Sequence, residues 1–214
     1  ARAYSSNEYQ FIAQIYEPPL QYHFLKRPYT LVPLTATEVP RPTYYDVTGN
    51  RLPDHTPADH IAYSVYEIRI RPGIRYQPSP ALAQDAGGRY LYHSLTAVEL
   101  AQKHALADFR ETGTRELVAA DYVHQIKRLA HPHLHSPILG LMSVYIIGLQ
   151  EYATRLEKEY ARLVKDVKGQ AGGEVHLDLE GIPLSGVQVV DRYTYRIKIK
   201  GKYPQFVYWL AMPF

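Results

Sequence analysis

Apolar and polar residues alternate most clearly at two places in the chain. At Tyr66, Ile68 and Ile70 they interleave with Glu67, Arg69 and Arg71, the period of a strand with one buried and one solvated face. Near the other end, Val187 and Val189 lead to a turn at Asp191-Arg192. Tyr193, Tyr195, Ile197 and Ile199 follow, interleaved with Thr194, Arg196, Lys198 and Lys200, which predicts a hairpin. Spacings of three and four predict helices elsewhere. Tyr9, Phe11, Ile12, Ile15 and Tyr16 define one that Pro18 and Pro19 end. Tyr122, Val123, Ile126 and Leu129 define another over 119–129, with Asp121 in its first turn, Lys127 and Arg128 in its last, and Pro132 beyond.

A longer helix is expected from Leu141 to about Val167. Its stripe is Leu149, Tyr152, Leu156, Tyr160 and Leu163, with Glu151 and Arg155 as an i,i+4 pair and the glycines of 169–173 as its end. A further helix is expected over Leu95–Phe109, burying Leu95, Val98, Leu100, Leu106 and Phe109. An extended piece runs through Leu31, Val32 and Leu34. Prolines 40, 42, 53 and 57 with Gly49-Asn50 mark 36–62 as loop and turn. Pro72-Gly73 reads as a turn before Ile74 and Tyr76, and 77–116 as a long insertion.

The 214 residues suffice for one large domain or two small ones, and 46% hydrophobic with 21% charged residues is the composition of a folded chain. No apolar run approaches the ~20 residues of a membrane span; Pro137–Leu149 is shorter and broken by Gly140 and Gly148. Without cysteine there are no disulfides, thiolate nucleophiles or cysteine-ligated metals. A charge of only +3, with Lys and Arg scattered among acids, argues against nucleic acid as a partner. The 20 tyrosines, against five Phe and one Trp, suit half-wet sheet faces and clefts. Residues 1–15 do not read as a leader, so the protein is expected either to be cytoplasmic or to have had a leader removed; the apolar run Val207–Phe214 reads as a core element, so the chain is expected to be a fragment of a longer protein.

Candidate chemistry is sparse. His131, His133 and His135 have the spacing of a transition-metal site on an extended segment, but no nearby carboxylate completes a shell. No phosphate loop and no Gly-x-Ser-x-Gly elbow is present. Glu17, between a helix and a double proline, could receive a cationic ligand group. The expectation is a protein that is not an enzyme and carries no cofactor, with a metal-dependent enzyme built on His131, His133 and His135 as an alternative.

Four segments in order carry more than any one of them: Tyr16–Leu20, Tyr66–Tyr76, Arg115–Arg128 and Val187–Ile199. Together they resemble the N-terminal part of the family 5 extracellular solute-binding proteins, the peptide, oligopeptide and nickel receptors of ABC importers. The motif matches within them are Tyr16–Leu20, Arg71–Tyr76, Ala119–Arg128 and Val189–Ile197. The resemblance implies a mixed α/β fold, part of one lobe of a two-lobed periplasmic binding protein, with a mixed sheet and flanking helices. Residues 1–35 would begin the main lobe, 36–200 would form the family's extra subdomain, and 201–214 would return to the main lobe, the second lobe being absent.

It further implies a receptor in the periplasm that captures peptides or similar small solutes and delivers them to a membrane permease. An assembly module that keeps the fold without binding solute is the alternative. Glu17 matches a cleft-facing acid of the family, with Tyr16, Pro18 and Tyr22 as neighbours. Ile138 stands where the family often has a ligand-contacting aromatic. Val118 stands where the family often has a helix-capping Thr, so the cap must come from elsewhere or be lost.

Overall fold

The computed structural model describes residues 6–167 and 175–213. The alternating segment forms β5 (Tyr63–Arg69), the middle strand of a five-stranded sheet. β3 (Pro42–Tyr45) and β4 (Arg51–Leu52) lie on one side of it. β7 (Thr194–Lys200) and β6 (Val187–Asp191) lie on the other, giving the order β4-β3-β5-β7-β6. Every pairing among the described residues is antiparallel, in place of the mixed sheet expected. β6 and β7 are the predicted hairpin; its turn is centred one residue later, on Arg192-Tyr193, because Asp191 pairs with Thr194 across a bulge.

The two faces of the sheet differ as the alternation requires. Tyr66, Ile68, Tyr195, Ile197 and Ile199 are buried together, each contributing roughly 1.5–3 kcal/mol by leaving water. Burial raises the phenol pKa values of Tyr66 and Tyr195. Over this face pack α3 (Ala119–Leu129) and α4 (Leu139–Tyr145). All four residues of the predicted α3 stripe are buried. Val118 gives no side-chain cap; Asp121 instead reaches back and accepts from the Val118 amide at 2.9 Å. One orphan donor at the helix start is thereby satisfied from the third helical position.

The long helix expected from Leu141 is two helices. α4 ends at Tyr145, and α5 (Leu149–Val167) begins after a break. At the break Ile147 donates to the Lys198 carbonyl at 3.0 Å, and Ile146 bridges to Ile199, so the backbone leaves the helix to join the sheet edge. Gly148 turns the chain at φ +77°. Leu149, Tyr152 and Leu156 are buried as predicted, whereas Tyr160 and Leu163 are only half-buried. Among the described residues Glu151 and Arg155 form no ion pair; on α5 Arg162 instead pairs with Glu159 at 2.6 Å and Asp166 at 2.9 Å. The glycines of 169–173 lie outside the described residues.

The proline-rich stretch read as loop contains β3 and β4. Pro42 takes the first strand position, where a missing donor is tolerated. The hairpin closes on Asp46, whose carboxylate accepts from the amides of Thr48 and Asn50 and from both of their side chains. The side-chain hydrogen bond from Thr48, followed by the backbone one from Asn50, lowers the Asp46 pKa to about 2.

Residues 72–117 form a unit of their own. Its two ends pair antiparallel, with Tyr76 donating to Arg115 O and Leu117 to Ile74 O. The expected helix over Leu95–Phe109 is reduced to α2 (Ala97–Ala101), started by a Thr96–Glu99 capping box, and a separate turn at Leu106–Asp108. The Asp108 carboxylate accepts from the amides of His104 and Ala105, the two groups a continuing helix would have bonded to residues 100 and 101. Val98, Leu100 and Leu106 are exposed rather than buried, and Leu95 and Phe109 half-buried.

Candidate functional site

The segment around Glu17 is built on a short ribbon. β1 (Leu20–Tyr22) pairs antiparallel with β2 (Leu31–Pro33), the extended piece anticipated around Leu31. Next to it, Pro19 O accepts from both Leu34 N and Ala36 N, and Arg71 N donates to Thr35 O at 2.9 Å, which ties the ribbon to the end of β5. Before the ribbon, α1 (Ser6–Ile12) continues in turns to Tyr16. Its apolar stripe does not pack as expected: Phe11 and Ile15 are each 70% exposed, and Tyr9 and Tyr16 are exposed too.

Glu17 is exposed, and its backbone is held from beneath. Tyr122 on α3 donates its hydroxyl proton to the Glu17 carbonyl at 2.8 Å. The same hydroxyl lies 2.6 Å from the Thr35 hydroxyl, which is also 3.2 Å from Pro18 O. Two protons serve three contacts, so Thr35 has one proton for either Tyr122 or Pro18. Thr35 is fully buried, and Pro18, Pro19 and Leu20 are buried with it. This network fixes the main chain at 17–19 while leaving the side chains of Tyr16 and Glu17 in solvent.

Tyr22 forms the other flank. Its ring stacks on Tyr208 at 6.2 Å and meets Tyr29 edge-on at 5.9 Å. Burial, then the neighbouring phenols of Tyr208 and Tyr9, raise its pKa. Arg27 lies 4.6 Å over the Tyr29 ring. The ribbon's loop presents Phe24 and Leu25 to solvent, at 88% and 78% exposure. Tyr9 and Phe11 of α1 are likewise exposed aromatic side chains. The stacking of Tyr22 on Tyr208 has no signal in the sequence, because no local spacing connects positions 22 and 208.

The remaining sequence candidates lie elsewhere. Ile138 is 7% exposed, packed in the core at the start of α4. His131 caps the turn Pro132–Leu134 by accepting from the His133 amide at 3.2 Å, and both rings lie about 6 Å from Tyr160. Burial, then the neighbouring His133, lowers the His131 pKa. His135 adopts a left-handed backbone at φ +48°. Among the described residues no group of three or more His, Cys, Asp or Glu side chains could hold a metal ion.

No protein-family model and no curated protein matches the chain. Among solved structures, the pheromone receptor PrgZ, solved for its mode of peptide binding, matches with a TM-score of 0.50 at 16% identity, over 98% of this chain and 26% of that one. Listeria monocytogenes OppA bound to peptide matches with a TM-score of 0.48 at 15% identity, over 99% and 26%. The chain thus spans about a quarter of the length of each of these structures. Its mixed α/β architecture, an open sheet with flanking helices, has the fold of part of PrgZ, in agreement with the fold that the four sequence segments imply.

Proposed function

We infer that this chain is part of one lobe of a family 5 solute-binding protein. That protein captures peptides or similar small solutes outside the cytoplasmic membrane, in the periplasm, and hands them to the permease of an ABC importer without chemical change. The observation that carries this reading is the fold shared with PrgZ along nearly the whole chain, read together with the four ordered sequence segments. In this reading residues 1–35 begin the main lobe, 36–200 form the extra subdomain and 201–214 return to the main lobe.

Glu17 is the acid for a cationic group of the solute. Tyr16 and Tyr22 supply ring faces, and Pro18 stiffens the backbone that presents them. Ile138, buried at the start of α4 and away from these residues, has a packing role in the core. The exposed rings of α1 and the β1–β2 ribbon then face a solute or the remainder of the receptor, and the solute is retained by as much as it prefers the closed form.

Calorimetric titration of the complete gene product with a pool of short peptides tests this. Saturable binding is expected, weakened about tenfold (~1.4 kcal/mol) by Glu17→Gln. The absence of saturable binding with any pool would overturn the reading.

A further inference from the structure

The outer face of the five-stranded sheet, turned away from α3 and α4, holds a groove of about 400 Å³, within the size range of small-molecule sites. Its floor follows from the strand register. One row across the strands runs Arg51, Tyr45, Tyr63; the next runs Thr43, Val65, Lys198; a third runs Gln188, Arg196, Glu67. Paired residues share a face, so these side chains form one surface. Tyr45 and Tyr63 stack nearly parallel at 5.0 Å, and the Lys198 ammonium lies 4.9 Å over the Tyr63 ring. Tyr63 is thus covered on both sides, which leaves the free face of Tyr45 as the aromatic platform, next to Arg51.

The charges are unbalanced. Three cations, Arg51, Arg196 and Lys198, line the groove against one carboxylate, Glu67. Glu67 is already engaged by Arg196 at 2.8 Å. Among the described residues no carboxylate pairs with Arg51 or Lys198. Packing another part of a protein over this face would strand both cations, a heavy desolvation cost unless acids came with it. A small anion meets the same cations at no such cost, with the hydroxyls of Thr43 and Ser185 available as further donors.

We propose that this groove is a second binding site, for a small organic anion that carries a planar ring and a phosphate or carboxylate group. The ring packs on the free face of Tyr45, and the charged group is held by Arg51, while Lys198 adds to the positive field from the far side of Tyr63. The proposal does not depend on the solute-capture reading, since none of its residues belongs to the Glu17 region.

The test is a titration of the protein, followed by amide NMR shifts and calorimetry, with four probes: phenyl phosphate, benzoate, inorganic phosphate and phenol. At least one ring-bearing anion is expected to saturate with a dissociation constant on the order of 1 mM or tighter, with shifts confined to β3, β4, β5 and β7. Preference for phenyl phosphate over benzoate identifies the charged group as phosphate, and the reverse identifies carboxylate. Arg51→Gln should weaken binding about tenfold and Tyr45→Leu should remove the preference for the ring-bearing anion over inorganic phosphate, whereas Lys158→Gln on α5 should change neither. Two separate positions guard against a folding artefact in either variant. Phenol binding as well as the anions, inorganic phosphate binding as well as phenyl phosphate, shifts scattered outside these strands, unchanged affinity in Arg51→Gln, or an unchanged preference in Tyr45→Leu would each overturn the proposal.

Discussion

The hydroxyl of Tyr122, in the middle of α3, donates to the carbonyl oxygen of Glu17 at 2.8 Å, joining residues 105 positions apart. The Tyr122 ring also stacks on Tyr195 of β7 at 5.6 Å. One side chain therefore links helix, sheet and the Glu17 segment. Tyr122→Phe keeps the ring and removes the hydroxyl. It strands a carbonyl and leaves Thr35 with Pro18 O alone. The expected loss is about 1–3 kcal/mol, read as a lower urea midpoint with an unchanged denaturant slope. A midpoint equal to that of the parent would show that water replaces the hydroxyl and that the Glu17 backbone is not held by Tyr122.

A second long-range link joins α3 to the segment before β6. Lys127, only 6% exposed, donates to Glu180 at 2.6 Å, and His124 contacts the other Glu180 oxygen at 3.0 Å. Burial tends to raise the Glu180 pKa, but the hydrogen bonds and charges of Lys127 and His124 outweigh it, and the carboxyl titrates below its ordinary value. Because the folded value is the lower one, the carboxylate's contribution is fully present above the ordinary glutamate pKa of about 4.3. It is lost as the pH falls through the lowered folded value. Glu180→Gln is expected to cost about 1 kcal/mol at neutral pH, held down by solvent screening of the exposed carboxylate. Denaturation midpoints of parent and variant should converge on acidification below about pH 4. A gap that persists in acid would mean that shape, not charge, is what the substituted amide fails to reproduce.

The sequence announces what depends on local period. β5, the β6–β7 hairpin and the buried stripe of α3 are legible because each repeats one side-chain spacing against one neighbouring surface. It hides what depends on a single competing contact. Asp108 takes amides that the expected helix needed, so only Ala97–Ala101 remains of Leu95–Phe109. Pro42 reads as a loop residue although it opens a strand. α1 has the right period but nothing in the described residues buries its stripe, and periodicity alone cannot tell a face that packs from one that waits for a partner. At the candidate site, Glu17 and its neighbours are legible as an unusual local string. Tyr122, Thr35 and Tyr208 are not, since they reach the site only through tertiary packing. The groove on the outer sheet face is half legible: alternation puts Arg196 and Lys198 on one side, but only the register sets them beside Tyr63 and Glu67.

The break between α4 and α5 is hidden in the sequence because its residues, Ile146 and Ile147, are as apolar as those of a continuing helix, and the single glycine after them is weak evidence of a stop. Two effects act at Gly148. Its φ of +77° disfavours any side chain, and an added Cβ would lie 2.3 Å from Ser185 Oγ. The backbone effect costs about 1–2 kcal/mol. The contact is with the end of a small side chain, which can rotate away, so it should cost less. Gly148→Ala alone is expected to lower stability by roughly 1–2 kcal/mol or somewhat more, and the same substitution in a Ser185→Ala background should recover only the smaller, contact part. Thermal and urea denaturation of the two single variants and the double variant separate the terms. Full recovery in the double variant would show that the left-handed turn is not what breaks the helix, and would shift the cause to the pairing of Ile146 with Ile199 and of Ile147 with Lys198 at the edge of the sheet.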